Sequence, residues 1–265
     1  MRQLDKNNMK KTTGLLFSLL FGTLISFGEF SFAEEEISVP ASDDVEITVD
    51  RFAASGKYLM VWLAPEYGFR SSHRSMARML AEQGIEVWQS NIVESLFLPQ
   101  GTVAMKGLDG KYIADVIEYA HKTTRKKIVV SGDSYAASSA LIGAHQWQQR
   151  KYTDVYLIGA VLFTPYTFAY IPPLGMEPEY MPIVSATNIP LMIYQAQGSA
   201  TIGEFELLLE KLQQHNNPVY TRFVPTVMSL FYQEPPTLDM QNNAKALPGN
   251  IKTMITVLER HEVPT

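Results

Sequence analysis

From Glu36 to Phe52 apolar and polar residues alternate in two short stretches, Glu36-Ile37-Ser38-Val39 and Val45-Glu46-Ile47-Thr48-Val49, parted by the polar segment Ala41–Asp44. A period of two predicts half-buried strands, and the polar break between them predicts a β-hairpin. After Gly56 the pattern changes. Tyr58-Leu59-Met60-Val61-Trp62-Leu63 is continuously apolar, as expected of a strand covered on both faces. Ser75 to Gln83 sets Met76, Met79 and Leu80 on one helical face and stops at Gly84. A strand Ile85–Trp88, a loop to Gly110 and a helix Tyr112–His121 burying Ile113, Val116, Ile117 and Tyr119 come next. The strand Lys127–Val130 then leads into a helix from Tyr135 to about Arg150.

The second half keeps the rhythm. Val155–Phe163 reads as a strand, and Thr164–Pro190, rich in proline and aromatic residues, as an irregular insertion. Leu191–Tyr194 is a strand, Ile202–His215 a helix, Val219–Val224 a strand, and Pro248 to about His261 a last helix. Repeated strand–helix units predict an α/β fold: a mostly parallel sheet with helices on both faces, entered by an N-terminal β-hairpin. No G-x-G-x-x-G follows the first parallel strand, so a dinucleotide-binding domain is disfavoured and no cofactor is predicted.

The start of the chain reads differently. Lys10 and Lys11 precede an apolar run from Leu15 to Phe27, and Ser31-Phe32-Ala33 offers small residues where a signal peptidase reads. The run is short for a membrane span, which takes about 20 residues. Residues 1–33 are therefore predicted to be a signal peptide, with Met9 as an alternative start, and residues 34–265 a single exported domain, periplasmic or secreted. No membrane span would remain after cleavage; an uncleaved anchor is the other reading. Residues 1–33 carry four of the 22 basic and two of the 27 acidic residues, so their loss moves the net charge from −5 to −7. That balance argues against a nucleic-acid or anionic-membrane partner. Without cysteine there is no disulfide framework, no thiolate metal site and no lipidated N-terminus, and no metal is predicted. The remaining 232 residues suffice for one large core.

The chemistry concentrates at Gly132-Asp133-Ser134-Tyr135-Ala136, set between Ile128-Val129-Val130 and a helical pattern. A serine at a tight strand-to-helix turn is a nucleophile elbow: the turn lifts the hydroxyl above the sheet, and the next N–H, from Tyr135, lies at a helix N-terminus suited to an oxyanion. The order of elements and this elbow resemble the α/β-hydrolase fold, over nearly all of residues 34–265, with Thr164–Pro190 as a short lid-like insertion. Ala136 stands where G-x-S-x-G has its last glycine, and an ordinary turn of another doubly wound fold is the competing explanation.

The resemblance implies further site residues. A second oxyanion N–H would come from the loop Pro65-Glu66-Tyr67-Gly68-Phe69, by position from Glu66 or Tyr67; Gly68 serves either close backbone approach or a simple turn. The triad acid would follow Leu191–Tyr194, where Glu204 is the nearest carboxylate, itself explicable as a helix-start residue. The histidine expected after the last strand is missing, Pro225–Phe231 standing in its place. His121, His215 and His261 close helices on the opposite side, and His145 lies about 16 Å along the elbow helix. His73, at the start of a helix, is left as a substitute base, a capping or surface role being the alternative.

A serine without a base is a poor nucleophile, so the expectation divides. One reading is a serine hydrolase of a carboxylic ester or thioester of an apolar acid, with a degenerate triad. The other is a non-catalytic binding or assembly protein, a pseudoenzyme, that keeps the cleft for a small apolar ligand. Tyr166, Phe168, Tyr170, Ile171, Pro172, Pro173, Leu174 and Met176 of the insertion would line such a cleft, or would only cover core. No protein partner is indicated.

Overall fold

A computed structural model describes residues 34–150, 157–170, 173, 176–214, 217–225, 228–231 and 237–261. The expected leader, residues 155 and 156 of the predicted strand, Ile171, Pro172, Leu174 and His215 lie outside the described residues. The elements are β1 Glu34–Pro40, β2 Glu46–Phe52, β3 Tyr58–Leu63, α1 Ser71–Glu82, β4 Ile85–Ser90, α2 Ile92–Ser95, α3 Thr102–Lys106 and α4 Gly110–Thr124. After them come β5 Lys127–Asp133, α5 Ala136–Gln149, β6 Leu157–Phe163, β7 Phe168–Tyr170, β8 Glu179–Tyr180 and α6 Pro182–Ala186. The last are β9 Leu191–Ala196, α7 Phe205–Leu212, β10 Val219–Val224 and α8 Leu238–Leu258.

Eight strands form one sheet in the order β1-β2-β4-β3-β5-β6-β9-β10. The hairpin pairs antiparallel, Val39 opposite Ile47, and β2 runs antiparallel to β4; every pairing from β4 to β10 is parallel. Alternate residues of β3 explain its unbroken apolar run. Leu59, Val61 and Leu63 join one core with Ile113, Ile117 and Leu141 of α4 and α5. Tyr58, Met60 and Trp62 join a second with Met76 and Leu80 of α1 and Ile251 and Ile255 of α8. Both faces are covered, so both must be apolar.

Helix α4 extends a little beyond Tyr112–His121 at both ends, and three other helix starts differ from expectation. Helix α1 starts at Ser71 rather than Ser75, because its first turn is polar and is held by a side chain: the Arg70 N–H donates to Nδ1 of His73 at 3.0 Å. Helix α8 starts at Leu238, not at Pro248, and is capped by Thr237, whose Oγ1 accepts from the Met240 N–H at 3.3 Å. Pro248 is interior and buried with Leu247, Ile251, Ile255 and Leu258, whose burial offsets its missing hydrogen bond, a cost of about 3 kcal/mol. The segment expected to be helical from Ile202 opens as a 3-10 turn, Ile202–Glu204, before α7.

Between β6 and β9 the insertion contains the two-stranded β7–β8 ribbon and α6. Tyr166 is ring-to-ring with Tyr135 at 5.0 Å and with Phe168 at 5.2 Å, so the insertion begins directly on the elbow. Phe168 is buried there, whereas Tyr170 and Met176 are exposed.

Candidate active site

Strand β5 ends and α5 begins within three residues, and the backbone at Ser134 takes φ = 56°, the left-handed region a non-glycine residue adopts only at a cost of about 1–2 kcal/mol. Neighbouring strands hold it there. The Ser134 N–H donates to Phe163 O at 3.1 Å, and its carbonyl accepts from the Tyr166 N–H at 2.9 Å and the Ala137 N–H at 3.2 Å. Gly132 is required for packing: a Cβ there would lie 2.3 Å from Ala136 O. Ala136 is fully buried, so the small residue in place of the last motif glycine sits in the same tight contact.

The loop after β3 brings Glu66 to the elbow. The Gly68 N–H donates to Pro65 O at 2.9 Å, closing a turn in which Gly68 has φ = +78°. A Cβ on Gly68 would meet ordinary contacts at 3.6 Å or more, so this glycine serves the turn rather than a close approach. The Ser134 hydroxyl donates to Oε1 of Glu66 at 3.3 Å. Burial pushes the Glu66 carboxyl above its ordinary range; the Glu66 backbone N–H, the Ser134 hydroxyl and the Tyr135 N–H oppose that rise, and the Asp133 charge adds to it. Oε2 of Glu66 is buried and closes no hydrogen bond among the described groups. The Glu66 and Tyr135 N–H groups, assigned from the sequence to an oxyanion, both favour the ionised form of the Glu66 carboxyl, but among the described groups the hydrogen bond to that carboxyl comes from Ser134. Tyr67, the alternative donor, turns an exposed side chain toward a neighbouring groove.

His73 is neither a surface residue nor only a cap. It is fully buried, with Nε2 3.4 Å from Oδ2 of Asp133, while Nδ1 accepts the Arg70 N–H. Its ring packs on Phe231 at 4.7 Å and on Trp62 and Phe69 at 5.7 Å each. Burial raises the Asp133 carboxyl, and the His73 hydrogen bond and charge offset part of the rise. Asp133 precedes Ser134, but alternation along β5 sends its side chain to the α1–α8 face. The imidazole therefore sits in that aromatic cluster, in contact with Asp133. Because a period-3.6 pattern begins only at Met76, the sequence placed His73 at the edge of the helix rather than in its first buried turn.

Glu204 lies on the 3-10 turn before α7, where its carbonyl accepts from the Tyr180 hydroxyl at 3.0 Å. Burial first, and then the Glu204 charge, push the Tyr180 phenol up to about 12. No hydrogen bond joins the Glu204 carboxylate to Ser134 among the described residues. The carboxylate that meets the serine is Glu66, which the sequence offered for its backbone N–H alone. Its side-chain role had no signal beyond its place in the oxyanion loop. Among the described residues no group of His, Asp and Glu is arranged to hold a metal ion, and no helix is long and apolar enough to cross a membrane.

No protein-family model and no curated protein sequence matches the chain. Solved structures do. The Pyrobaculum calidifontis esterase is 15% identical over 84% of this chain and 86% of its own, with a TM-score of 0.64. A putative dienelactone hydrolase from Klebsiella pneumoniae is 14% identical over 86% and 99%, with a TM-score of 0.61. A hormone-sensitive lipase from a metagenome library is 15% identical over 86% and 88%, with a TM-score of 0.59. Likeness at this identity establishes the architecture.

Proposed function

We propose that this chain, which has the α/β-hydrolase fold, is a serine hydrolase of carboxylic esters or thioesters in which Glu66 replaces the missing histidine as base. One observation carries the reading: the Ser134 hydroxyl, on a left-handed elbow, donates to the Glu66 carboxyl at 3.3 Å. A base must lie within hydrogen-bond reach of the proton it takes, and such contacts tighten once substrate is bound. Burial raises the basicity of Glu66, which brings a carboxylate closer to a useful base strength near neutral pH.

In the acylation step Ser134 Oγ bonds to the ester carbon, its proton passes to Glu66 Oε1, and the carbonyl π pair moves onto oxygen. That oxygen is then held by the Tyr135 and Glu66 N–H groups. Collapse breaks the bond to the alcohol (or thiol) oxygen or sulfur, which recovers the proton from Glu66. Water repeats the sequence to release the acid. The triad is degenerate in this reading, with no histidine and no role for Glu204.

The same contact also supports a second reading, a binding protein in which the Glu66 carboxyl only holds the Ser134 hydroxyl in place. A fluorophosphonate probe separates the two. Covalent labelling of the wild type that is lost in Ser134→Ala supports the hydrolase; folded protein that does not label supports the binding protein. Export is proposed on the leader pattern alone, with an N-terminus at Glu34 as its expected signature.

A further inference from the structure

We propose that the groove beside the Glu66 loop binds a cationic group carrying N–H bonds, a primary ammonium or a guanidinium. The groove, about 850 Å³, lies between the β1–β2 hairpin, the 65–69 turn and the segment that follows β4. Its walls carry the carboxylates of Glu36, Asp44, Glu46, Asp50 and Glu94 against one cation, Arg74. Arg74 is already engaged, with Asp50 and with Glu34 at 2.7 Å each. Glu46 and Glu94 accept from neutral donors, Ser38 Oγ and Asn91 Nδ2, both at 2.7 Å, so their charge is left uncompensated. The groove therefore favours a positive ligand and repels an anion.

An acidic wall alone would say little, but the floor adds an independent observation. Gln89 lines the groove with its residue 1% exposed, and its Nε2 donates to His73 O at 3.1 Å. That bond fixes which end of the amide is oxygen. Oε1 is then a buried acceptor with no hydrogen-bond partner among the described groups. An unpaired buried acceptor is unfavourable, and an N–H of the ligand would relieve that cost. Aromatic rings complete the site. Phe97 stands 95% exposed with φ = 54°, and Tyr67 is 61% exposed, both on the groove. Such exposed ring faces suit a cation held by its neighbouring carboxylates.

The turn that carries Glu66 to Ser134 lines this groove through Tyr67, Gly68 and Phe69. A cation bound here would neighbour whatever occupies the elbow, although its binding does not depend on Ser134 being acylated.

Two probes of equal charge test the proposal by isothermal titration at constant ionic strength. Methylguanidinium should bind, and tetramethylammonium, which has no N–H for Gln89, should bind about ten-fold more weakly, the equivalent of about 1.4 kcal/mol. Gln89→Leu should abolish that preference. The surface pair Glu46→Gln with Glu94→Gln, which leaves the core intact, should weaken both probes. Absence of methylguanidinium binding, equal affinity for the two probes, or affinity indifferent to the Glu46 and Glu94 changes would overturn it. The Glu46 and Glu94 variants keep the test decisive should Gln89→Leu fail to fold. Each of these readings is independent of fluorophosphonate labelling at Ser134.

Discussion

Ser134 and Glu66 come together from loops 68 residues apart, the serine donating its hydroxyl to Oε1 of the Glu66 carboxyl at 3.3 Å. The pairing exists because β3 and β5 are adjacent parallel strands, Leu63 opposite Gly132, so that the turns after both open on one edge of the sheet. In the proposed mechanism, chemistry at the elbow therefore depends on the Glu66 carboxyl as base.

Glu66→Gln keeps the shape of the side chain and removes its basicity. Fluorophosphonate labelling of Ser134 should slow by roughly 10²–10⁴, the range for loss of a general base. Faster labelling in this variant would overturn the assignment of Glu66 as base.

The pH dependence has a definite sign. Glu66 acts as a base only when ionised, so labelling should rise with pH through an apparent pKa above the ordinary glutamate value of 4.5. Stability runs the other way. A carboxyl whose folded pKa is raised contributes stability that is fully present below its unfolded value and is lost as pH rises through the folded one. A labelling profile centred at or below 4.5 would contradict the assignment.

Backbone strain at Ser134 predicts an ordering of variants. Ser134→Gly relieves the left-handed conformation, whereas Ser134→Ala keeps it, and both lose the bond to Glu66. The glycine variant should exceed the alanine variant in stability by about 1 kcal/mol in urea unfolding, the strain relieved being partly offset by the entropy of glycine in the unfolded chain. Neither should label.

His73 packs with three aromatic rings and contacts Asp133, so its loss is predicted to act on stability. His73→Ala should cost about 3 kcal/mol, from the cavity and from a buried Asp133 deprived of this contact. Labelling per folded molecule should be unchanged; a loss of labelling at full folding would restore the imidazole as a candidate base.

Glu259, just past α8, ties the starts of β3 and β5 together through Lys57 at 2.8 Å and through Lys127 and the Tyr58 hydroxyl. Burial opposes its charge, but the hydrogen bonds from Lys127, Lys57 and Tyr58 prevail and hold its pKa at about 2. Its stabilisation is present above the unfolded value and is lost as pH falls through about 2. Glu259→Gln should therefore lower stability at neutral pH, and the difference from wild type should shrink steadily between pH 4.5 and 2. A difference that does not change with pH would rule out the ionic contribution.

Much of the architecture was legible because it depends on local pattern. The continuous apolar strand Tyr58–Leu63, the hairpin and Val219–Val224 fell where period and composition placed them. The boundaries of α1 and α8 did not, since Ser71–Arg74 and the turns before Pro248 carry no apolar period of their own and become helical through a buried histidine and the α8 core contacts. Likewise the elbow was visible as a motif, because a serine between strand and helix needs only its neighbours to be recognised.

What the sequence determined by itself was therefore the alternation of strands and helices, the parallel sheet, and a strained serine at the end of β5. Only the tertiary structure decided which side chains reach that serine. Residue type and helix position nominated His73 and Glu204, yet the alternation of β5 and the packing of α1 put the imidazole in the aromatic cluster beside Asp133. The strand pairing of β3 with β5 put Glu66 against the hydroxyl instead. Contacts between loops distant in the chain follow from strand order and pleat, which no local pattern encodes.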